Sequence, residues 1–392
     1  MDNRLTKPLT NYETTDAILS MKKKKAPDNK GIVAESLQQG PVLIAEFLTP
    51  VFSEIINSGT QPAALKEGII HPILKKGKPK NQPGNYRGIT VSPLIGKVLD
   101  RIHLAHQKEA TPSRNHDLQF GFTEGRSGSH AAFILSESIA ESKDIGEPLF
   151  AVSLDVQKAF DVVRHESLLV KLHQQGLAGV WWRLKDSAYK DLKGIVQWKG
   201  ENSESFNISQ GNRQGGLPSP DDYKSYILSV LDNIHRSKCG LHIGAINVAS
   251  PTCADDMLLL ARSISELQLL LLLVTTYANQ EHYVLHPTKS QVNIFQQVNT
   301  PWTEALEASK PWAINGTILP IETKLTHLGV TRDNTSAHLT VEDRISTARR
   351  AMYALMGAGL HGVNGLPVST CLHLFNTYIL PRSTYGLKFD HS

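Results

Sequence analysis

The chain has 392 residues, 40% hydrophobic and 20% charged, with 41 Lys and Arg against 37 Asp and Glu for a formal net charge of +4. That is long enough for two or three packed subdomains and apolar enough for real cores, while 28 Gly and 20 Pro are too few for a collagen-like or low-complexity chain. Three widely spaced cysteines, Cys239, Cys253 and Cys371, form no CxxC and argue against a disulfide framework or a zinc site, and the longest apolar run, Leu269 to Val274, is too short to span a bilayer, so a soluble protein of a reducing compartment is expected.

Apolar residues at helical spacing predict helices over 14–25 and 32–57, the second through Ile44, Phe47, Leu48, Val51, Phe52 and Ile55, with Gly59 just beyond. A strand is predicted at Gly68–Leu74. It runs into Lys75-Lys76-Gly77-Lys78-Pro79-Lys80, a loop that continues neither element. This run and Lys22 to Lys25 are basic clusters; a polyanionic partner and a solvated surface face both account for them. Residues 129–143 read as a helix, and Leu149–Leu154, bounded by Gly146-Glu147-Pro148, as a buried strand that ends on Asp155. Helices at 165–175 and 179–191 precede a hairpin with strands 194–199 and 204–209, the polar turn Gly211 to Gly216, and a helix near 220–236. After Cys253-Ala254-Asp255-Asp256 come a helix to Gln280, strands within 283–330, and helices from about 340 and over 368–380. The pattern is mixed α and β with a helical end.

Two features carry chemistry. Asp255-Asp256 stands between apolar flanks, where an uncompensated buried charge costs several kcal/mol and a divalent cation removes that cost. Asp155 closes the buried strand Leu149–Leu154, and hard cations such as Mg²⁺ take oxygen ligands. One acid on a strand and a pair on a neighbouring hairpin can hold two ions about 3.5–4 Å apart, as nucleotidyl transfer requires. Asp161 is read more simply, as a residue that caps or orients the helix starting near His165.

Taken in order, LDVQKAFD, NRQGGLPSP and CADD resemble the successive palm motifs of reverse transcriptases, particularly those of non-LTR (LINE-like) retrotransposons. KAPDNKGIVAE, the stretch from LKEGIIHPILKK to GKVLDRI, and LQFGFTEGRSGSHAAFIL resemble that family's fingers, and HPTKS and THLGV its later palm motifs. The resemblance implies an α+β right-hand polymerase: fingers over 1–147, a palm with an antiparallel sheet over 148–332, and a partial helical thumb over 333–392. It implies an RNA-directed DNA polymerase, part of a retrotransposon, that extends a DNA primer on an RNA template with dNTPs and two Mg²⁺ (or Mn²⁺) ions. The metal ligands become Asp155, Asp255, the adjacent Asp256 and the main-chain carbonyl of Val156. Phe160 matches the residue that excludes a ribose 2′-hydroxyl, with core packing the plainer alternative. Gln214 and Gly215 match the motif lying against the incoming nucleotide; Lys75, Lys76 and Arg87 match fingers residues that face its triphosphate. Lys289 matches a lysine that protonates or screens the leaving pyrophosphate, and His327-Leu328-Gly329 a hairpin that grips the primer.

The sequence departs from the family's pattern at three places. Cys253 stands for an aromatic residue, His286 for an asparagine, and Asp221-Asp222 for a largely apolar pair; Asp221 is expected to satisfy helix N-terminal amides, whereas Asp222 has no evident partner. The short segment ahead of KAPDNKG has no histidine, so the chain is expected to extend a supplied primer without cutting DNA to make one. Nuclear residence after cytoplasmic synthesis follows from the retrotransposon life cycle. The rival readings are a catalytically silent nucleic-acid-binding relic and a splicing-associated maturase.

Overall fold

The computed structural model describes residues 7–112, 115–295, 312–333, 339–361 and 364–387. Two compact units divide the chain, one from Met1–His116, Lys158–Ser229 and Glu281–Tyr283, the other from Asp117–Gln157, Val230–Gln280 and Val284–Ser392. In chain order the strands are β1 (Gly68–Leu74), β2 (Tyr86–Val91), β3 (Leu149–Leu154), β4 (Lys193–Trp198), β5 (Glu201–Asn202), β6 (Phe206–Asn207), β7 (His242–Ile243), β8 (Ile246–Asn247), β9 (Thr252–Cys253), β10 (Asp256–Ala261) and β11 (Gln291–Phe295). Two short hairpins follow, Ala313–Ile314 with Thr317–Ile318 and Lys324–His327 with Val330–Asp333.

The first unit packs helices Asn11–Leu19, Pro41–Ser58, Leu94–Ala110 and Gly179–Tyr189 around Ile18, Phe52, Ile56, Val98, Leu99 and Leu184. Each such side chain, fully buried, contributes roughly 1.5–3 kcal/mol. The capping box of Thr10 and Glu13 starts the first helix, and Gly59, at φ +66°, ends Pro41–Ser58. The predicted helix 14–25 starts earlier and stops at Leu19, because the Lys22–Lys25 run is loop: Lys24 takes a left-handed φ of +56° and its amide donates to Glu35. The predicted helix 32–57 is two, Ala34–Gln38 and Pro41–Ser58, separated at Gln39-Gly40. This unit's five-stranded sheet runs β2-β1-β4-β5, with β6 also on β4. β1 is antiparallel to β2, pairing Leu74 with Tyr86 and Ile73 with Arg87, and parallel to β4. In the predicted hairpin of 194–199 with 204–209, β5 takes Glu201–Asn202, which were expected in the turn, and of the predicted second strand only Phe206–Asn207 pairs with β4.

In the second unit β3 lies inside a four-stranded sheet, order β11-β3-β10-β9, with every pairing antiparallel. Leu149, Phe150, Ala151 and Val152 are fully or almost fully buried, which explains why β3 reads as a continuous apolar run rather than an alternating one. Leu135 from helix Gly128–Ile145 and Leu258 and Leu260 from β10 share its core. The register Met257↔Leu154 carries both strands to their ends at the acidic residues. Among the described residues, no helix is long and apolar enough to cross a membrane.

Candidate active site

The second unit gathers the acids. β3 ends at Leu154 opposite Met257, so one further step of the register sets Asp155 opposite Asp256, the first residue of β10. Asp256 in turn pairs with Cys253 across a two-residue turn, Ala254-Asp255. Asp155 is fixed through its main chain: its amide donates to Ser290 Oγ at 3.0 Å, and its carbonyl accepts from the His286 amide at 2.9 Å. The Gln157 amide donates to Val284 O at 2.8 Å. These two bonds flank the Val156–Leu285 bridge, and the alternation of an antiparallel pair turns the carbonyl of Val156 away from that partner. Lys289 Nζ lies 3.4 Å from Asp155 Oδ2.

The protein around Asp256 strips water from its carboxylate and, with the charges of Asp255 and Asp155, pushes its pKa up to about 6. Burial, then Asp256 and Asp255, raises the Cys253 thiol as well. Three carboxylates that repel one another, with oxygen donors only, suit a hard divalent cation. Among the described residues no group of three or more His, Cys, Asp or Glu side chains is closed tightly enough to hold an ion by itself, so the acids are neighbours rather than a finished cage. The hairpin at His327 also belongs to this unit. Leu328 and Gly329 both have positive φ, +50° and +75°, as a type I′ turn demands, and Tyr385 donates to Leu328 O at 3.0 Å.

The first unit gathers the residues matched to nucleotide contacts. Lys75 and Lys76 follow β1 at the tip of its hairpin with β2, which carries Arg87 three residues ahead of Thr90. Thr90 donates its amide to Gln214 O at 2.7 Å. Gly215 has φ +100°, and a Cβ there would lie 3.0 Å from Thr90 O, so both conformation and space require glycine. Asp161 does not cap the helix His165–Gln174, whose N-cap is Arg164 with no side-chain bond; its Oδ1 instead accepts from Gln214 Nε2 at 3.0 Å. Phe160 stacks on Tyr223 with centroids 4.7 Å apart, and its carbonyl accepts from the Asn212 amide at 2.7 Å. The nucleotide-motif turn is thereby tied to the residues that follow Asp155 in sequence.

Asp222 acquires the partner that sequence did not supply. It is fully buried, and its carboxylate accepts from Lys185 Nζ at 2.7 Å, the Tyr189 hydroxyl at 2.9 Å and Gln107 Nε2 at 3.3 Å. Tyr189 also lies 2.9 Å from Asn212 Oδ1, which connects this buried ion pair to the turn bearing Gln214 and Gly215. Asp221 pairs with Lys224 at 3.1 Å, an i,i+3 contact on helix Ser219–Ser237. Residues missed in sequence are Ser290, Lys185, Tyr189 and Gln119; all are ordinary polar residues whose importance lies in partners distant along the chain.

Residues 73–331 match the family model described as reverse transcriptase (RNA-dependent DNA polymerase). Similar curated proteins include the probable RNA-directed DNA polymerase from transposon X-element of Drosophila melanogaster, 28% identical over 61% of this chain and 28% of that protein. The RNA-directed DNA polymerase from mobile element jockey of Drosophila funebris is 25% identical over 97% of this chain and 41% of that protein. The chain thus spans less than half the length of these curated relatives. Among solved structures, apo telomerase from Candida tropicalis, truncated from its C-terminal domain, aligns with a TM-score of 0.47 and 12% identity, covering 74% of this chain and 59% of that one.

Proposed function

Because this chain belongs to the reverse transcriptase (RNA-dependent DNA polymerase) family, we propose that it is the RNA-directed DNA polymerase of a non-LTR retrotransposon, extending a DNA primer on an RNA template. The observation that carries the reading is the convergence of Asp155, Asp255 and Asp256 at the ends of β3 and β10, where burial, and after it the charges of Asp255 and Asp155, pushes the Asp256 carboxyl up to about pKa 6. Asp155, Asp255, the Val156 carbonyl and, beside them, Asp256 would hold two Mg²⁺ or Mn²⁺ ions. When bound, these ions supply Lewis-acid stabilisation of phosphate charge and lower the pKa of the primer hydroxyl.

The reaction is attack by the primer 3′-oxygen on the α-phosphorus of a dNTP; the bond to the bridging oxygen breaks and pyrophosphate leaves. Arg87 offers a planar fork to triphosphate oxygens and Lys75 and Lys76 offer point charges, roles suited to their place at one hairpin tip. Gln214, steadied by Asp161, and Gly215 lie along the nucleotide, and Phe160 on Tyr223 excludes a 2′-hydroxyl by volume. Lys289, within reach of Asp155, would protonate or screen the leaving pyrophosphate. In this reading residues 1–147 are fingers, 148–332 palm and 333–392 part of a thumb, and the protein works in the nucleus.

Extension of a DNA primer annealed to RNA tests the proposal. Mg²⁺-dependent product that is DNase-sensitive and lost with EDTA supports it. Template–primer that binds and is never extended would favour the silent nucleic-acid-binding relic instead.

A further inference from the structure

The turn that presents Asp255 is built on an unsuitable residue. Two-residue hairpin turns with a positive φ at the first central position favour glycine there, yet Ala254 adopts φ +60° between β9 and β10. L-residues avoid this region because Cβ crowds the following carbonyl. An alanine turn left to itself relaxes toward negative φ, splays the two strands and carries Asp255 away from Asp155 and Asp256.

Gln119, 135 residues earlier in sequence and 1% exposed, opposes that relaxation. Its Oε1 accepts from the Ala254 amide at 2.9 Å and from the Gly121 amide at 2.7 Å, while Nε2 donates to Ala254 O at 3.5 Å. One carboxamide therefore grips both main-chain groups of the strained residue. The grip is itself anchored: Phe120 donates its amide to Thr252 O, and Thr252 to Leu118 O, each at 2.8 Å, so residues 118–120 run beside β9 as an extra edge. Gly121 admits the close approach, since a Cβ there would lie 2.2 Å from Ala254 N, with backbone on both sides of the clash.

We propose that Gln119 is a positioning residue, clamping the Ala254-Asp255 turn so that the Asp255 carboxylate joins Asp155 and Asp256. The inference rests on the metal-dependent reading above and deepens it by assigning the geometry of one acid to a side chain that touches neither substrate nor acid.

The test uses the full chain and Mn²⁺ alone, followed by electron paramagnetic resonance without nucleic acid, and then single-turnover extension. Gln119→Leu should weaken Mn²⁺ binding about 10- to 100-fold, as loss of an orienting neighbour does at metal sites. It should lower kcat on the order of 100-fold, the effect of misplacing a reacting group by an ångström, with KM for dNTP nearly unchanged. Adding Ala254→Gly to Gln119→Leu should recover much of both losses, because glycine adopts the turn without the clamp. A purely structural role predicts lower thermal stability with Mn²⁺ affinity per folded molecule intact, and that result overturns the proposal. Should Gln119→Leu fail to fold, hydrogen exchange in the wild type decides: a protected Ala254 amide supports the clamp and a rapidly exchanging one overturns it. A wild type that binds Mn²⁺ but extends nothing would sink the polymerase reading alone, because the Gln119→Leu loss of Mn²⁺ affinity is read without nucleic acid and still supports the clamp.

Discussion

Replacing Asp222 by alanine removes the anion that faces Lys185 in the interior of the first unit. Both side chains are buried, Asp222 completely, and their 2.7 Å contact is reinforced by Tyr189 and Gln107. Breaking such a pair leaves a buried ammonium and costs about 3–5 kcal/mol, far more than an exposed pair would. Asp100 moderates the cost, because it also feels the Lys185 charge; burial holds its carboxyl up near pKa 6, and the neighbouring Asp222 charge adds to the rise. Losing Asp222 lets Asp100 ionise more readily, so the lower end of that range, about 3 kcal/mol, is expected for Asp222→Ala. Asp222→Asn keeps an oxygen for Lys185 and should cost less, about 1–3 kcal/mol. Urea unfolding followed by the fluorescence of Trp181 and Trp182, on the same helix as Lys185, measures both. The second readout is KM for dNTP, which should rise because Tyr189 bridges Asp222 to Asn212. An Asp222→Ala chain within about 1 kcal/mol of wild type, the worth of an exposed pair, would refute the buried-pair reasoning.

Three further outcomes follow from single contacts. Phe160→Val should raise ribonucleotide relative to deoxyribonucleotide incorporation, by roughly 10-fold or more in the ratio of kcat/KM values, measured with competing nucleotides; an unchanged ratio in an active variant assigns Phe160 to packing against Tyr223. Gly215→Ala should raise KM for dNTP, since the new Cβ meets Thr90 O at 3.0 Å in a left-handed backbone, and steady-state kinetics would show it. His103, buried with Nε2 2.9 Å from Trp181 O, is held by burial down at about pKa 3. Its folded pKa lies below the unfolded value, so its contribution is present above about pH 6.5 and is lost as pH falls toward 3; His103→Phe should flatten the fall of urea midpoint with pH across that window.

Local order was legible where local sequence decided it. Gly68–Leu74 and Leu149–Leu154 were read to the residue, because each is an apolar run closed by Lys-Gly-Pro or Gly-Pro punctuation or by an acid. Asp155 and the Asp255-Asp256 pair were legible for a related reason: a carboxylate at the edge of an apolar strand contradicts its neighbours. Asp161 misled because a helix did begin four residues later, but its carboxylate was taken by Gln214, 53 positions on. Asp222 is discordant in the sequence, but its remedy is not visible there, since Lys185 on a different helix looks like any solvated lysine. Gln119 lies in the stretch LQFGFTEGRSGSHAAFIL that resembles the family's fingers, but nothing in that stretch points to the turn it holds. A buried amide that organises a turn 135 residues away has the same composition and periodicity as one exposed to water, and only the fold distinguishes them.

The central claim, that Asp155 and Asp255 are the acids of a metal-dependent polymerase, is tested most directly by single-nucleotide incorporation on an RNA template with Mg²⁺, using wild type, Asp155→Ala and Asp255→Ala, with template–primer binding measured on the same preparations. The expected result is incorporation by wild type alone with binding retained by all three, since loss of a ligand removes the cation clamp and leaves the basic surface in place. Incorporation at the wild-type rate by either variant would contradict the assignment.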